Sequence, residues 1–243
     1  MYEAVHARPD GASTVARMAA TAADWGFSGV VVRNHGDESA DYDAGAIGER
    51  YGVDVVDGVE IRAESRSRAG GFLGSHRPER TVVLVHGGDS DINRFAAESE
   101  RVDVLAHPMA GEGDVNHVIA EAAADNGVAL EVDLSSVLRA SGGRRARAIA
   151  DLRKLGELIE HADAPYVVSA DPRSHLQMRA PRELLAVGEV VGFDRETIEA
   201  GLAEWGRIAE RNRERLSEAY VAPGVWRGSP DGERGDGEGG AGS

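Results

Sequence analysis

Short, continuous apolar runs alternate with longer Ala-rich and charged segments along most of the chain. Runs that are apolar throughout, rather than at every second position, are typical of strands in a parallel sheet covered by helices. We predict strands at 2–7, 29–33, 53–61, 81–86, 102–106, 128–134 and 166–170, and a short eighth strand at 187–191.

Helical patterns fill most of the segments between these strands. Two of them end at Gly26 and Gly127, and glycine commonly ends a helix because it adopts the left-handed conformation without strain. The segment 62–80, with five arginines, is expected to be a loop, and "SGGRRARAIADLR" is expected to be a loop that runs into a helix. We predict helices within 11–26, 41–52, 90–100, 114–127 and 145–163.

The carboxy-terminal segment "RETIEAGLAEWGRIAERNRERLSEAY" carries an apolar stripe at helical spacing. We interpret this stripe as one that closes the outer layer of the fold, which is a more common role than a dedicated protein-binding face. The stripe consists of Ile198, Leu202, Trp205, Ile208 and Leu216.

Roughly eight β/α units in about 220 residues indicate a (β/α)8 TIM-like barrel. An open doubly wound sheet is the structural alternative, but neither a G-x-G-x-x-G nor a Walker A loop supports a nucleotide-binding version of it. We place a single barrel domain at 1–226. The final segment 227–243 is rich in glycine and acidic residues, and we expect it to be a disordered tail.

The charge balance is strongly acidic, with a formal net charge of -15, and Lys154 is the only lysine. This composition is typical of a salt-adapted organism, and we expect the chain to come from a halophilic archaeon. At molar salt the Debye length falls to about 3 Å, so local arginine clusters govern binding to phosphates more than net charge does. The chain contains no cysteine. It also has no long apolar segment and no basic-then-apolar leader, and we therefore expect a cytoplasmic protein that binds no membrane.

Histidines and carboxylates stand at the ends of several predicted strands, where barrel enzymes carry their active sites. Glu60, His107 and Asp171 match the pattern of the PHP phosphoesterase superfamily, which this arrangement resembles. The first strand, however, offers only His6 of the superfamily's H-x-H pair, and Arg173 stands where the D-x-H pair requires histidine. Metal affinity depends on ligand number, so we expect a vestigial site without metal. A stand-alone PHP-like metal-dependent phosphoesterase remains the alternative function.

A longer resemblance covers residues 102–193. The blocks "DVLAHP", "NGVALEVDLS", "DAPYVVSAD" and "RSHLQMRAPREL" follow one another in this order. Together they closely resemble the archaeal ribonuclease P protein component 3 family, a barrel-fold subunit related to the PHP superfamily. More than a third of the chain takes part, which is far more specific than one short motif.

This resemblance implies a subunit of ribonuclease P, the ribonucleoprotein that removes the 5′ leader from precursor tRNA. The family's RNA carries the chemistry with Mg²⁺, so the isolated chain is expected to be inactive, to have no catalytic residues and to bind no cofactor. The expected partners are the ribonuclease P RNA, the second protein component and, through the complex, precursor tRNA.

Arginine-rich clusters are the candidate RNA contacts, because guanidinium groups bind phosphate oxygens bidentately. Each cluster has an alternative interpretation as a solvated helix face paired with local acids. A barrel that binds only proteins is a third possible function. The candidates are Arg66, Arg68, Arg139, Arg144, Arg145, Arg147, Arg153, Lys154, Arg173, His175 and Arg179.

Overall fold

The structure, a computed structural model, describes residues 1–111, 113–217, 220–222 and 225–226. The predicted tail at 227–243 lies outside the described residues. The strands of the main sheet are β1 (Tyr2–Val5), β2 (Gly29–Val32), β3 (Asp54–Ile61), β4 (Val82–His86), β5 (Val104–Ala106), β6 (Ala129–Asp133) and β7 (Tyr166–Ser169), followed near the carboxyl end by the antiparallel pair β8 (Tyr220–Ala222) and β9 (Val225–Trp226).

Helices follow almost every strand and cover the outside of the sheet. In chain order they are α1 (Val15–Trp25), α2 (Ala44–Tyr51), α3 (Arg66–His76), α4 (Ser90–Ala97), α5 (His117–Asn126), α6 (Ser135–Arg139), α7 (Gly142–Ala162), α8 (Pro181–Val191) and α9 (Arg195–Leu216). No helix within the described residues is long and apolar enough to cross a membrane.

The seven strands β1 to β7 are parallel and lie in sequence order, each beside the next. They form a nearly closed barrel, which confirms the TIM-like fold class. The predicted eighth strand at 187–191 is wrong, because this segment is the last part of α8. Pro181 occupies the first turn of that helix, and the Glu183 side chain accepts a hydrogen bond from the Ala180 N–H at 2.9 Å. These are helix-start signals that override the β-branched run.

The seam between β1 and β7 is bridged in part by a side chain. The buried Glu3 carboxylate accepts a hydrogen bond from the Ala170 N–H at 3.1 Å, and the His6 N–H donates to the Pro172 carbonyl at 3.1 Å. Burial raises the pKa of Glu3 to about 8, although backbone N–H donors oppose the shift. The barrel therefore closes here through one carboxyl group and loop backbone.

Apolar side chains form two clusters on the two faces of the barrel wall. The outer face, with residues such as Val30, Val83 and Leu130, packs against the helices in one large cluster. The inner face contributes small and β-branched residues, Ala4 and Val31 among them, to a second cluster inside the barrel. Successive side chains of each strand point to opposite faces of the barrel wall, so each strand contributes to both an outer and an inner core.

Helix α9 closes the amino-terminal end of the barrel. Its Trp205 is fully buried among the inner residues and donates its indole N–H to the Val168 carbonyl at 2.8 Å. Asn212 of the same helix reaches the Thr81 carbonyl at 2.9 Å, just before β4. The predicted stripe is buried except at Leu216, which is exposed. Ile198 and Leu202 lie in the outer cluster, as expected, whereas Trp205 and Ile208 pack into the barrel interior.

Two further expectations for the arginine-rich segments are wrong. The segment 62–80 contains helix α3, which begins after Ser65, whose side chain accepts from the Arg68 N–H, and buries Ala69 and Leu73 one turn apart. Its three helical glycines lower helix propensity and conceal this pattern. In the second segment, α7 begins directly after Ser141, three residues before the predicted helix, so Arg144 and the two glycines before it belong to the helix rather than to a loop.

Replacing Trp205 by alanine is expected to lower the free energy of unfolding by about 3–5 kcal/mol, since the change leaves a cavity in the inner cluster. Urea unfolding followed by circular dichroism measures this loss. Val190→Ala, at an exposed position of α8, is the matched control and should stay within about 0.5 kcal/mol of the parent. Equal effects of the two changes would contradict the role of α9 as the closing helix.

Candidate functional site

The carboxyl ends of the strands carry a layer of charged side chains inside the barrel mouth. These residues continue the inward-facing positions of the strands, two or four residues beyond apolar ones such as Ala4, Val31 and Val56, so the polar layer lies next to the inner apolar cluster. Its members are His6, Arg33, Glu60, His86, Glu131 and Asp171, with His107 beside them.

Arg33 lies at the centre of this layer. Its side chain and those of Glu60 and Glu131 are each 0% exposed. The Arg33 Nε donates to Glu60 Oε2 at 2.8 Å, and its two terminal nitrogens donate to the two oxygens of Glu131, one of them at 3.3 Å. Burial alone would raise the pKa of Glu60, but the guanidinium holds that pKa well below its usual range. Glu60, Arg33 and Glu131 therefore form a charged triad.

Asp10 and His35 form a second group beside the triad. Asp10 Oδ2 accepts from the His35 N–H at 3.0 Å and lies 2.6 Å from His6 Nδ1. Arg173 donates to the other oxygen of Asp10. Sequence reasoning did not single out Arg33, Asp10 or His35, although the polar "RNH" directly after the second strand was the available signal.

His107 contacts the same layer from the end of β5. Its backbone adopts a φ of 48°, and its N–H donates to Glu131 Oε2 at 2.9 Å. The ring Nδ1 lies 3.2 Å from Asp133 Oδ2. Burial disfavours the imidazolium, but the carboxylates of Glu131 and Asp133 outweigh it and raise the pKa of His107 to about 10.

The predicted RNA contacts at the start of α7 are exposed. Arg144, Arg145 and Arg147 all face solvent. Among the described residues none of the three guanidinium groups has an ion-pair partner, and Arg145 donates only to the Ala140 carbonyl at 2.8 Å. The beginning of a helix carries a partial positive charge. This end of α7 is consequently a concentrated, uncompensated positive surface.

Arg139 and the candidates after β7 are held by protein groups. Arg139, in α6, donates to the carbonyls of Ala170 and Asp171 at 2.9 and 2.6 Å, which joins the α6–α7 corner to the loop after β7. His175 Nδ1 lies 2.9 Å from the Ser13 hydroxyl, and Arg179 donates to the Met178 carbonyl at 2.7 Å. The structure thus joins Arg139, just before α7, to the loop after β7, and holds Arg173, His175 and Arg179 by contacts to Asp10, Ser13 and Met178.

Four other candidates are engaged elsewhere. Arg153 donates to the Val191 carbonyl at 2.5 Å, at the end of α8, and Lys154 pairs with Asp114. In α3, Arg66 pairs with Glu98 at 2.9 Å and Arg68 lies 3.7 Å from Glu64. These contacts match the alternative interpretation, a solvated face paired with local acids, more closely than a free phosphate-binding surface.

Comparison with known proteins shows which family shares this barrel. The family model described as "RNase P subunit p30" matches residues 1–217. The chain belongs to the ribonuclease P subunit p30 family. A curated relative from Haloarcula marismortui, "Ribonuclease P protein component 3", is 65% identical over 225 residues, which cover 93% of this chain and 96% of the relative. The expected family, with close relatives in halophilic archaea, and the expected role as a ribonuclease P subunit are confirmed.

Two solved structures share the fold of this p30-family chain. One is a chain of an archaeal ribonuclease P solved with mature tRNA by cryo-EM, with a TM-score of 0.80, 23% identity, and coverage of 96% of this chain and all of that one. The other is a histidinol phosphate phosphatase from Lactococcus lactis, solved with zinc, L-histidinol and phosphate. It has a TM-score of 0.52, 11% identity, and coverage of 79% of this chain and 94% of that one. Both support the barrel fold.

The residues of this p30-family barrel do not fit a divalent metal. Two groups, His6 with Asp10 and His35, and His35 with Glu60 and His86, have ligand atoms within 4.8 Å of one another. Arginines already bind the carboxylates of both groups, Arg173 at Asp10 and Arg33 at Glu60. The arginines use Asp10 Oδ1 and Glu60 Oε2, the histidines lie against the other oxygen of each carboxylate, and the two guanidinium groups would repel a divalent ion placed there.

The contribution of His107 to stability should depend on pH. Because its pKa is higher in the folded than in the unfolded chain, the folded protein binds this proton more tightly. The stabilisation is complete below pH about 6.5 and is lost as the pH rises towards about 10. Urea titration of the parent and of His107→Asn gives the difference between their free energies of unfolding. This difference should decrease as the pH is raised from about 6 to about 10. His117→Asn, at the exposed start of α5, is the control variant. A difference that stays constant with pH for His107→Asn would oppose the assignment.

Proposed function

We propose that this chain supports the RNA of ribonuclease P during removal of the 5′ leader from precursor tRNA, as an RNA-binding and protein-binding subunit. The observation that carries the proposal is the exposed arginine surface at the start of α7, formed by Arg144, Arg145 and Arg147, without ion-pair partners among the described residues. Family membership supplies the context, because the relatives are named as ribonuclease P components.

Helix α7 is well suited to bind phosphates at this end. Three arginines lie in the first turns of the helix, where the helix dipole is positive. Their charges repel this end of the dipole and lower the stability of the helix unless an anion is bound there. Guanidinium forks bind phosphate oxygens bidentately and provide no base-specific readout by themselves. The surface therefore favours recognition of the backbone and shape of a folded RNA.

The acidic character of the chain does not oppose this surface. The carboxylates of the barrel mouth, Asp10, Asp171 and Glu131 among them, are turned into the barrel and contact arginine or histidine side chains. At molar salt, charges farther away than about 3 Å are strongly screened. Phosphates that approach α7 would consequently interact mainly with the local arginines.

We further propose that the RNA carries the chemistry, with Mg²⁺ bound through RNA groups, and that the isolated chain binds no cofactor and is inactive. The support is chemical: the carboxylates of the barrel mouth already serve as partners of Arg33 and Arg173. The stand-alone phosphoesterase is disfavoured for the same reason. The second protein component as partner belongs to this proposal, whereas a cytoplasmic location stays a prediction.

An omission assay tests the subunit role. Ribonuclease P RNA and its protein partners are combined in high salt and Mg²⁺ with or without this chain, and release of the 5′ leader from precursor tRNA is measured. We expect cleavage to drop when the chain is omitted and the chain alone to cleave nothing. Unchanged cleavage on omission would contradict the proposal, and Mn²⁺-dependent phosphoester hydrolysis by the chain alone would favour the phosphoesterase.

The triple change Arg144→Glu, Arg145→Glu and Arg147→Glu tests the α7 surface. It should weaken binding to the ribonuclease P RNA and lower the slope of log affinity against log salt by up to about three, one for each lost phosphate contact. Filter binding over a KCl series measures both quantities.

The matched control is Arg195→Glu, Arg207→Glu and Arg215→Glu, an equal change of charge on exposed positions of α9, at the opposite end of the barrel. It should leave the slope unchanged. If both triple variants lose affinity equally, RNA binding does not depend on α7 in particular.

A further inference from the structure

We propose that Arg33 is a built-in cation that takes the place of a metal ion in this barrel, and that removing its guanidinium group creates a divalent-metal site. The inference concerns the charged triad of Glu60, Arg33 and Glu131 and is independent of the proposed role in RNA binding. It explains how a barrel that shares its fold with a zinc-bound phosphatase keeps a carboxylate-rich interior.

The guanidinium group occupies the point where potential metal ligands converge. Within hydrogen-bond distance it has both oxygens of Glu131 and Oε2 of Glu60, the latter 2.7 Å from a terminal nitrogen. His107 Nε2 lies 3.5 Å from the same terminal nitrogen. Two carboxylates and an imidazole are the ligand types that zinc and manganese prefer.

Two further ligand atoms are available at the edge of this set. His6 Nε2 and Asp171 Oδ1 are buried and, within the part of the chain that the structure describes, face only each other, without an aligned hydrogen bond. They lie 3.0 Å apart, and the same nitrogen is 3.6 Å from Glu60 Oε2. An imidazole nitrogen and a carboxylate oxygen that face each other in this way would complete a metal-binding set once the guanidinium group is gone.

Arg33 and a divalent ion would exclude each other. The guanidinium uses oxygens that a metal would need, and two cations a few ångströms apart in a buried layer repel strongly. Conversely, the fully buried carboxylates of Glu60 and Glu131 cannot remain without a cation, because an unpaired buried charge is strongly destabilising. In this chain Arg33 supplies a covalently attached cation to both carboxylates.

The test compares the full-length parent with Arg33→Ala in the same high-salt buffer, with EDTA, Zn²⁺ or Mn²⁺. Thermal unfolding and titration calorimetry are the readouts. The parent should unfold at the same temperature in all three buffers. Arg33→Ala should unfold at a lower temperature in EDTA and regain about 5–10 °C with saturating metal, with about one ion bound per chain. Arg33→Lys, which keeps a positive charge, should gain less than Arg33→Ala.

Tight binding of one ion by the parent, with a loss of stability in EDTA, would overturn the inference. It would also be overturned if Arg33→Ala folds but its unfolding temperature rises with neither metal. If Arg33→Ala does not fold in EDTA, folding on addition of Zn²⁺ supports the inference.

The double change Arg33→Met with Glu131→Gln removes one charge of each sign and keeps His6, Glu60, His107 and Asp171. Glu60 keeps His35 and His86 as partners in this variant, so it should fold without metal and bind Zn²⁺ more tightly than the parent. A folded double variant without a gain in Zn²⁺ affinity would overturn the inference.

Discussion

A buried arginine between two buried glutamates is the constraint on which the barrel mouth depends. Burying three charges is costly unless their geometry is nearly ideal. Arg33, Glu60 and Glu131 come from β2, β3 and β6, so three strands must hold their relative positions for the charges to remain paired. The apolar layer beneath, closed by Trp205, keeps water away and makes this requirement strict.

Arginine side chains have two different roles in the structure. Arg33, Arg139 and Arg173 point towards carboxylates or carbonyls and hold the strand ends together. Arg144 and its neighbours at the start of α7 point to solvent. A count of cations along the sequence cannot separate these roles, because only the fold determines which carboxylates are within reach.

The sequence predicts the strand positions well and the chemistry of the interior only in part. Continuous apolar runs locate the ends of strands β1 to β7 to within one or two residues. The runs are easy to recognise because these strands are buried on both faces and are therefore apolar at most positions. Helix α3 was missed because Gly70, Gly71 and Gly74 mask a helix whose stability comes from packing rather than propensity. The triad was missed because Arg33 and Glu131 are 98 residues apart, and a single sequence carries no signal of such a pairing.

Helix α9 completes the barrel interior although it is nearly the last element in the chain. The inner residues Ala4 and Val31 are synthesised long before Trp205, which they pack against. On the ribosome, therefore, the early strands emerge with the amino-terminal end of their inner face open to water, and they cannot form a dry interior by themselves. Because this end closes only when α9 docks, the barrel interior can become dry only after α9 has been synthesised.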